Sequence, residues 1–176
     1  IVCLDLDGGK VLWEARPAKL AASDPFVLSG RLMAFTAGEA EERIIALHLA
    51  SFDPATGALL FEAPVAKFHD VWEKQISCQA AVSEDKVVAG KIVATAGGCV
   101  ICCDSLGQPL WMRRQLLSSP AQDPDFLRQW HEPPLVARER VYAFQPGVRA
   151  VECLDLKSGR LLWTFPAPRL ERVLGL

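Results

Sequence analysis

Short apolar runs closed by Asp, Gly or Ser recur along the chain, the pattern of brief strands joined by tight turns. Four segments share one order: Cys3-Leu-Asp-Leu-Asp-Gly-Gly-Lys-Val-Leu-Trp13, Ser51-Phe-Asp-Pro-Ala-Thr-Gly-Ala-Leu-Leu-Phe61, Cys102-Cys-Asp-Ser-Leu-Gly-Gln-Pro-Leu-Trp111 and Cys153-Leu-Asp-Leu-Lys-Ser-Gly-Arg-Leu-Leu-Trp163. Each reads as a strand, an Asp, a glycine turn, a second strand and an aromatic residue. An Asp carboxylate can accept from backbone N–H groups two residues on, and Gly takes the positive φ of a tight turn, so each segment is expected to be a β-hairpin. The turn glycines Gly9, Gly57, Gly107 and Gly159 are 48, 50 and 52 residues apart, a period expected of a propeller or solenoid.

Upstream of the last three hairpins lie further strand pairs: Phe26 to Leu28 with Arg31 to Phe35, Ala80 to Ser83 with Lys86 to Ala94, and Leu135 to Ala137 with Val141 to Phe144. Their connections, Ser29-Gly30, Glu84-Asp85 and Arg138-Glu139-Arg140, are polar and of hairpin length. Glu39 to Ala50 has helix-forming composition, but its second half aligns with the strand ending at Asp155, so Ile45 to Phe52 is expected to be strand. The expected fold is all-β, a β-propeller of four-stranded antiparallel blades. About three and a half blades are present: an outer half-blade at 1–14, whole blades at 23–62, 78–112 and 133–165, and the start of another link at 166–176. Propellers close with about four to eight blades, so this reads as an open arc of a larger ring.

The recurring small-x-Asp-x-x-Thr-Gly-x-x-x-Trp pattern resembles the tryptophan-docking motif of the pyrrolo-quinoline quinone (PQQ) repeat family. Cys3 to Trp13 and Cys153 to Trp163 match it best; the second copy ends in Phe61, and the third shortens its turn between Asp104 and Gly107. The resemblance implies a cell-envelope or periplasmic location and one of several roles. The family includes periplasmic alcohol dehydrogenases holding PQQ and calcium, and a lipoprotein of the outer-membrane barrel assembly machinery. The reading adopted is a non-catalytic scaffold in a bacterial envelope, binding a protein partner, with no cofactor predicted. The alternatives are a fragment of a PQQ- and Ca-dependent quinoprotein dehydrogenase and a sensor or ligand-binding domain of a larger membrane-associated protein.

Composition narrows the partners. The chain has 176 residues, 51% of them hydrophobic, enough for a packed core. Nineteen Lys and Arg against 21 Asp and Glu give a net charge of −2, without the basic excess that nucleic acid calls for. The longest weakly polar run, Ile92 to Cys103, is about 12 residues and is shorter than the roughly 20 needed to cross a bilayer as a helix. The first residue is Ile1 and no signal-peptide pattern precedes the repeats, so the sequence reads as mature, excised or incomplete.

Trp13, Phe61, Trp111 and Trp163 are expected to dock one blade on the next rather than to cage a ligand; a buried aromatic removes roughly 150–250 Å² from water. Gly9, Gly57, Gly107 and Gly159 are their structural companions in the turns. Cys102-Cys103 invites comparison with the vicinal disulfide of the PQQ dehydrogenases, but consecutive strand residues face opposite ways, and Cys99-x-x-Cys102 has no second ligand pair for zinc. Cys3 and Cys153 occupy the small-residue position of the motif and are expected to be buried free thiols. The long links Glu62 to Ser77 and Met112 to Glu132 place His69, Asp70, Trp72, Glu73, Arg113, Arg114, Trp130, His131 and Glu132 on one rim as binding candidates. The bland alternative is that Trp72 and Trp130 cover blade tops while the charges are solvated. No catalytic or metal-ligating residue is assigned.

Overall fold

The structure is a computed structural model that describes residues 1–42, 44–69, 78–82, 90–115, 133–145 and 148–168. Among the described residues every regular element is a strand: β1 (Val2–Leu4), β2 (Val11–Glu14), β3 (Leu20–Ala21), β4 (Phe26–Leu28), β5 (Arg31–Glu41), β6 (Ile44–Phe52), β7 (Leu59–His69), β8 (Cys78–Val82), β9 (Lys91–Ala96), β10 (Cys99–Asp104), β11 (Pro109–Arg114), β12 (Leu135–Ala137), β13 (Arg140–Gln145), β14 (Ala150–Asp155) and β15 (Leu161–Pro166). They form antiparallel sheets in sequence order: β1-β2; β3-β5-β6-β7 with β4 also on β5; β8-β9-β10-β11; and β12-β13-β14-β15. For brevity these are sheets 1 to 4. The fold is an all-β partial propeller.

The turns form as their chemistry dictates. Asp53 Oδ1 accepts from the N–H groups of Ala55 at 2.7 Å and Thr56 at 3.3 Å, and Asp104 Oδ1 accepts from Leu106 and Gln108, each at 2.9 Å. Asp155 Oδ1 takes the Ser158 N–H at 2.9 Å and its hydroxyl at 2.6 Å, and Asp5 Oδ2 takes the Gly8 N–H at 3.1 Å. These bonds close each turn, and a bulge lies in each outer strand pair, between Cys3 and Leu4, Ser51 and Phe52, Cys102 and Cys103, and Cys153 and Leu154. A bulge increases local twist, which suits sheets that must splay radially.

Alternation along each strand gives each sheet two apolar faces, and three buried clusters fill the spaces between successive sheets. Ala34, Ala50 and Phe52 of sheet 2 meet Ile1, Trp13 and Ala15 of the first hairpin. The opposite face of sheet 2, with Met33, Phe35, Leu47 and Leu49, packs on Ile92, Ala94, Ile101 and Cys103 of sheet 3. The other face of sheet 3, with Val93, Val100, Cys102 and Trp111, packs on Val141, Ala143, Leu154 and Leu156 of sheet 4. A fully buried aliphatic side chain contributes about 1.5–3 kcal/mol, so these clusters are the main source of stability.

Several expectations require correction. The innermost strand of sheet 2 is split, with Leu20 and Ala21 pairing to Ala37 and Thr36 while Phe26 to Leu28 pair to Met33 to Arg31. Sheet 2 also runs further than 23–62: β5 and β6 pair as far as Glu41 and Ile44, and β7 follows to His69. Strand β9 is described from Lys91 and Val82 faces Ile92, while Ser83, the expected turn Glu84-Asp85 and the expected strand start at Lys86 lie outside the described residues. This register puts Ile92, Ala94 and Ala96 on the face buried against sheet 2. The segment with helical composition is strand over Ile44–Phe52, where tertiary pairing overrides propensity. Residue ranges 83–89 and 169–176 lie outside the described residues.

Candidate functional site

Each junction between sheets is built from the same positions of an outer strand: the aromatic residue at its centre and the residues two and four further on. At the first junction Trp13 donates its indole N–H to the Pro54 carbonyl at 3.0 Å, and its ring covers Gly57. At the last junction Trp111 donates to the Leu156 carbonyl at 2.9 Å and covers Gly159. A Cβ on Gly57 would lie 2.8 Å from Trp13 Cδ2, and one on Gly159 would lie 2.6 Å from Trp111 Cδ2. With φ of +72° and +67°, both positions demand glycine twice over, for space and for backbone conformation.

The middle junction differs. Phe61 has no N–H to donate, and the Gly107 turn rests on Ala63 and Leu49, whose Cβ atoms would lie 2.9 and 3.4 Å from an added Cβ. The one-residue-shorter turn lets the backbone settle against the small Ala63 side chain.

The residues two and four positions beyond the aromatic are Ala63 and Val65 in the middle junction but Arg113 and Gln115 in the last. Arg113 reaches Glu152 of sheet 4, with Nη2 to Oε1 at 3.3 Å and Nε to Oε2 at 3.4 Å; the Glu152 side chain is 4% exposed. Gln115 donates through Nε2 to the Phe144 carbonyl at 2.9 Å, while its own N–H bonds the Gly98 carbonyl. Sheet 3 is thus tied to sheet 4 by hydrogen bonds and an ion pair across a buried face.

A second polar group sits on the face of sheet 2 that carries Ala34 and Ala50. Glu62 accepts from the Thr36 hydroxyl at 2.8 Å and forms an ion pair with Lys19. Burial pushes the Glu62 carboxyl up, but the bonds from Lys19 and Thr36 outweigh it and hold the group below its ordinary range. His48 lies close to both; burial, helped by the Lys19 charge, lowers its imidazole from the ordinary value and favours the neutral form. Both oxygens of Glu62 are engaged, so the arrangement anchors the Lys19 segment to β5 and β7.

The rim candidates fare unequally. Arg113 and Arg114 lie within β11 and His69 ends β7, so none is in a link as the sequence suggested, because the outer strands extend by pairing with β10 and β6. Arg113 faces sheet 4 and is taken up by Glu152, which corrects its reading as a rim ligand. His69 and Arg114 are exposed, and no hydrogen bond or ion pair joins either to the other. Asp70, Trp72, Glu73, Trp130, His131 and Glu132 lie outside the described residues. Trp163 also departs from expectation: it is 47% exposed and contacts Tyr142, ring centroids 5.9 Å apart.

All six cysteines are free, and Cys102 and Cys103 point into different junctions, which follows from strand alternation. Burial pushes their thiols up, to about 11 for Cys102 and about 12 for Cys103, so neither is a ready nucleophile. Cys153 is buried as its motif position implies, but Cys3 is only partly covered. Among the described residues no group of three or more His, Cys, Asp or Glu could hold a metal ion. No described helix is long and apolar enough to cross a membrane.

Sequence reasoning missed Glu152 and Gln115. A signal was present: Glu152 occupies the position held by Val2, Ala50 and Ile101 in the other repeats, a charge where the period places an apolar core residue. Comparison with curated proteins gives no match. A family model described as outer membrane protein assembly factor BamB, of the PQQ-repeat type, matches residues 1–164. The match spans every sheet described, and the chain belongs to this PQQ-repeat family.

Proposed function

We propose that the protein is a non-catalytic scaffold of a bacterial cell envelope, holding a protein partner on the rim of its propeller. The observation that carries this reading is the family match over residues 1–164, whose description is that of an assembly factor for outer membrane proteins. The structure supports it through the use made of buried and partly buried polar groups. Glu152, Arg113, Gln115, Thr36 and Glu62 all bond neighbouring strands or sheets, which gives rigidity rather than a reactive centre. The exposed His69 and Arg114 at strand ends remain the described rim candidates for a partner.

A photo-crosslinker at Arg114, introduced in cells, is expected to trap a component of the outer-membrane assembly apparatus, and Arg114→Glu to reduce co-purification of that component. The dehydrogenase alternative is addressed with the same purified protein. PQQ and Ca²⁺ followed by dye-coupled alcohol oxidation are expected to give the rate of a protein-free control. Turnover above that control would overturn the scaffold reading.

A further inference from the structure

We propose that the outer edge of β11 receives an extended segment of another protein as an added antiparallel strand, setting a carboxylate beside Arg114 and an apolar side chain beside Met112. The proposal rests on the scaffold reading and deepens it, since it names the strand that holds the partner and the kind of segment held. Sheet 2 packs on one face of sheet 3 and sheet 4 on the other. Blades of a propeller stack on faces, so further blades leave the outer edge of β11 open.

The ladder defines that edge. Gln115 donates its N–H to the Gly98 carbonyl, and Arg113 and Trp111 stand opposite Val100 and Cys102. Antiparallel pairing alternates bonded and outward residues, so the N–H and C=O groups of Leu110, Met112 and Arg114 point away from β10. The equivalent positions hold Leu12, Glu14 and Arg16 in the first repeat, Leu60, Glu62 and Pro64 in the second, and Leu162, Thr164 and Pro166 in the last.

Outer edges are blunted by charge and by proline. Pro64 and Pro166 lack the N–H that an added strand needs, Glu62 is held by Lys19 and Thr36, and Glu14 pairs with Arg16 at 2.9 Å. On β11 there is no proline among these positions, and Met112 stands where the other three repeats have Glu14, Glu62 and Thr164. Leu110 and Met112 are 46% and 55% exposed. Arg114 is exposed too and has no carboxylate partner among the described residues.

This free guanidinium selects the occupant. Two copies of β11 paired about Met112 would set Arg114 of each against Leu110 of the other and leave both without an anion. A strand of another protein with a carboxylate at that place satisfies Arg114, and one with a cation there is repelled. Side chains two apart share a face, so the segment reads carboxylate, any residue, apolar residue in the antiparallel sense.

The probe is a capped synthetic peptide, Thr-Glu-Thr-Val-Thr-Val-Thr, with a control in which lysine replaces glutamate. Amide exchange of the purified protein is followed by NMR. In the protein alone the Met112 and Arg114 amides are expected to exchange at least tenfold faster than those of Trp111 and Arg113. The glutamate peptide slows both, and the lysine peptide binds at least tenfold more weakly. Met112→Glu and Arg114→Pro install residues found at the equivalent edge positions, so each is expected to keep the native spectrum while weakening the glutamate peptide at least tenfold. Slow Met112 and Arg114 amides in the protein alone would mean that its own chain covers the edge, and would overturn the proposal. Peptides that bind alike, or no slowing at millimolar glutamate peptide, would also overturn it. Should a variant unfold, the two peptides on the unaltered protein decide. A crosslink from Arg114 to the assembly apparatus alongside any of those failures leaves the scaffold reading standing, with the partner held by side chains rather than by an added strand.

Discussion

The middle and last junctions solve the same packing problem with opposite chemistry. Between sheets 2 and 3 the outer strand presents Phe61, Ala63 and Val65, and the space is filled by the largest apolar cluster among the described residues. Between sheets 3 and 4 the same three positions are Trp111, Arg113 and Gln115, each bonded to sheet 4 through an indole N–H, a guanidinium or an amide. The apolar junction tolerates any neighbour of the right shape. The polar one accepts only a sheet with a carboxylate and two free carbonyls in register, since a buried charge without its partner is penalised. A propeller built from near-identical repeats gains from such a distinction, because it fixes which sheet follows which.

The largest expected effect comes from breaking the ion pair. Arg113→Ala leaves Glu152 buried without its cation and should lower stability by about 3 kcal/mol, read as a fall in the urea midpoint at pH 7. Arg113→Ala combined with Glu152→Ile puts the residue types of the equivalent positions Ala63 and Ile101 into the last junction and should recover most of that loss. A double variant as unstable as the single one would mean that the two junctions differ in shape and not just in charge. A smaller effect is expected of Trp111→Phe, which imitates Phe61. Losing the bond to the Leu156 carbonyl should lower stability by about 1 kcal/mol, and a loss beyond about 3 kcal/mol would assign the indole a packing role that Phe61 shows to be dispensable.

The repeat was legible because its turns are chemical statements. Asp53 and Asp155 accept backbone N–H groups two or three residues on, as any chain with those residues tends to do, so the four hairpins could be placed without coordinates. What could not be read depends on neighbours. The period puts Trp163 in the same place as Trp13 and Trp111, but its burial depends on whether a sheet lies against it. The Arg113–Glu152 pair joins residues 39 apart in different repeats, so the period marks Glu152 as a charge at an otherwise apolar position but does not name its partner. The outer strands outrun their expected ends since pairing is decided by the adjacent strand: Phe68 and His69 extend β7 because Ile45 and Ile44 stand opposite. The rim was the least legible part, as exposed residues such as His69 and Arg114 carry no periodic constraint at all.

Adjacent thiols offer the most direct test of the claim that each face of sheet 3 closes a separate junction of its own chemistry. Cys103 reports on the apolar junction and Cys102 on the polar one, and both are shielded, so their modification by a thiol reagent under native conditions follows local opening. The rates are to be measured in Cys103→Ala and Cys102→Ala proteins, each with and without Arg113→Ala, by mapping the modified peptide. The account predicts that Arg113→Ala speeds modification of Cys102 at least tenfold and leaves Cys103 unchanged. Equal acceleration of both would contradict it, showing that the two junctions open as one.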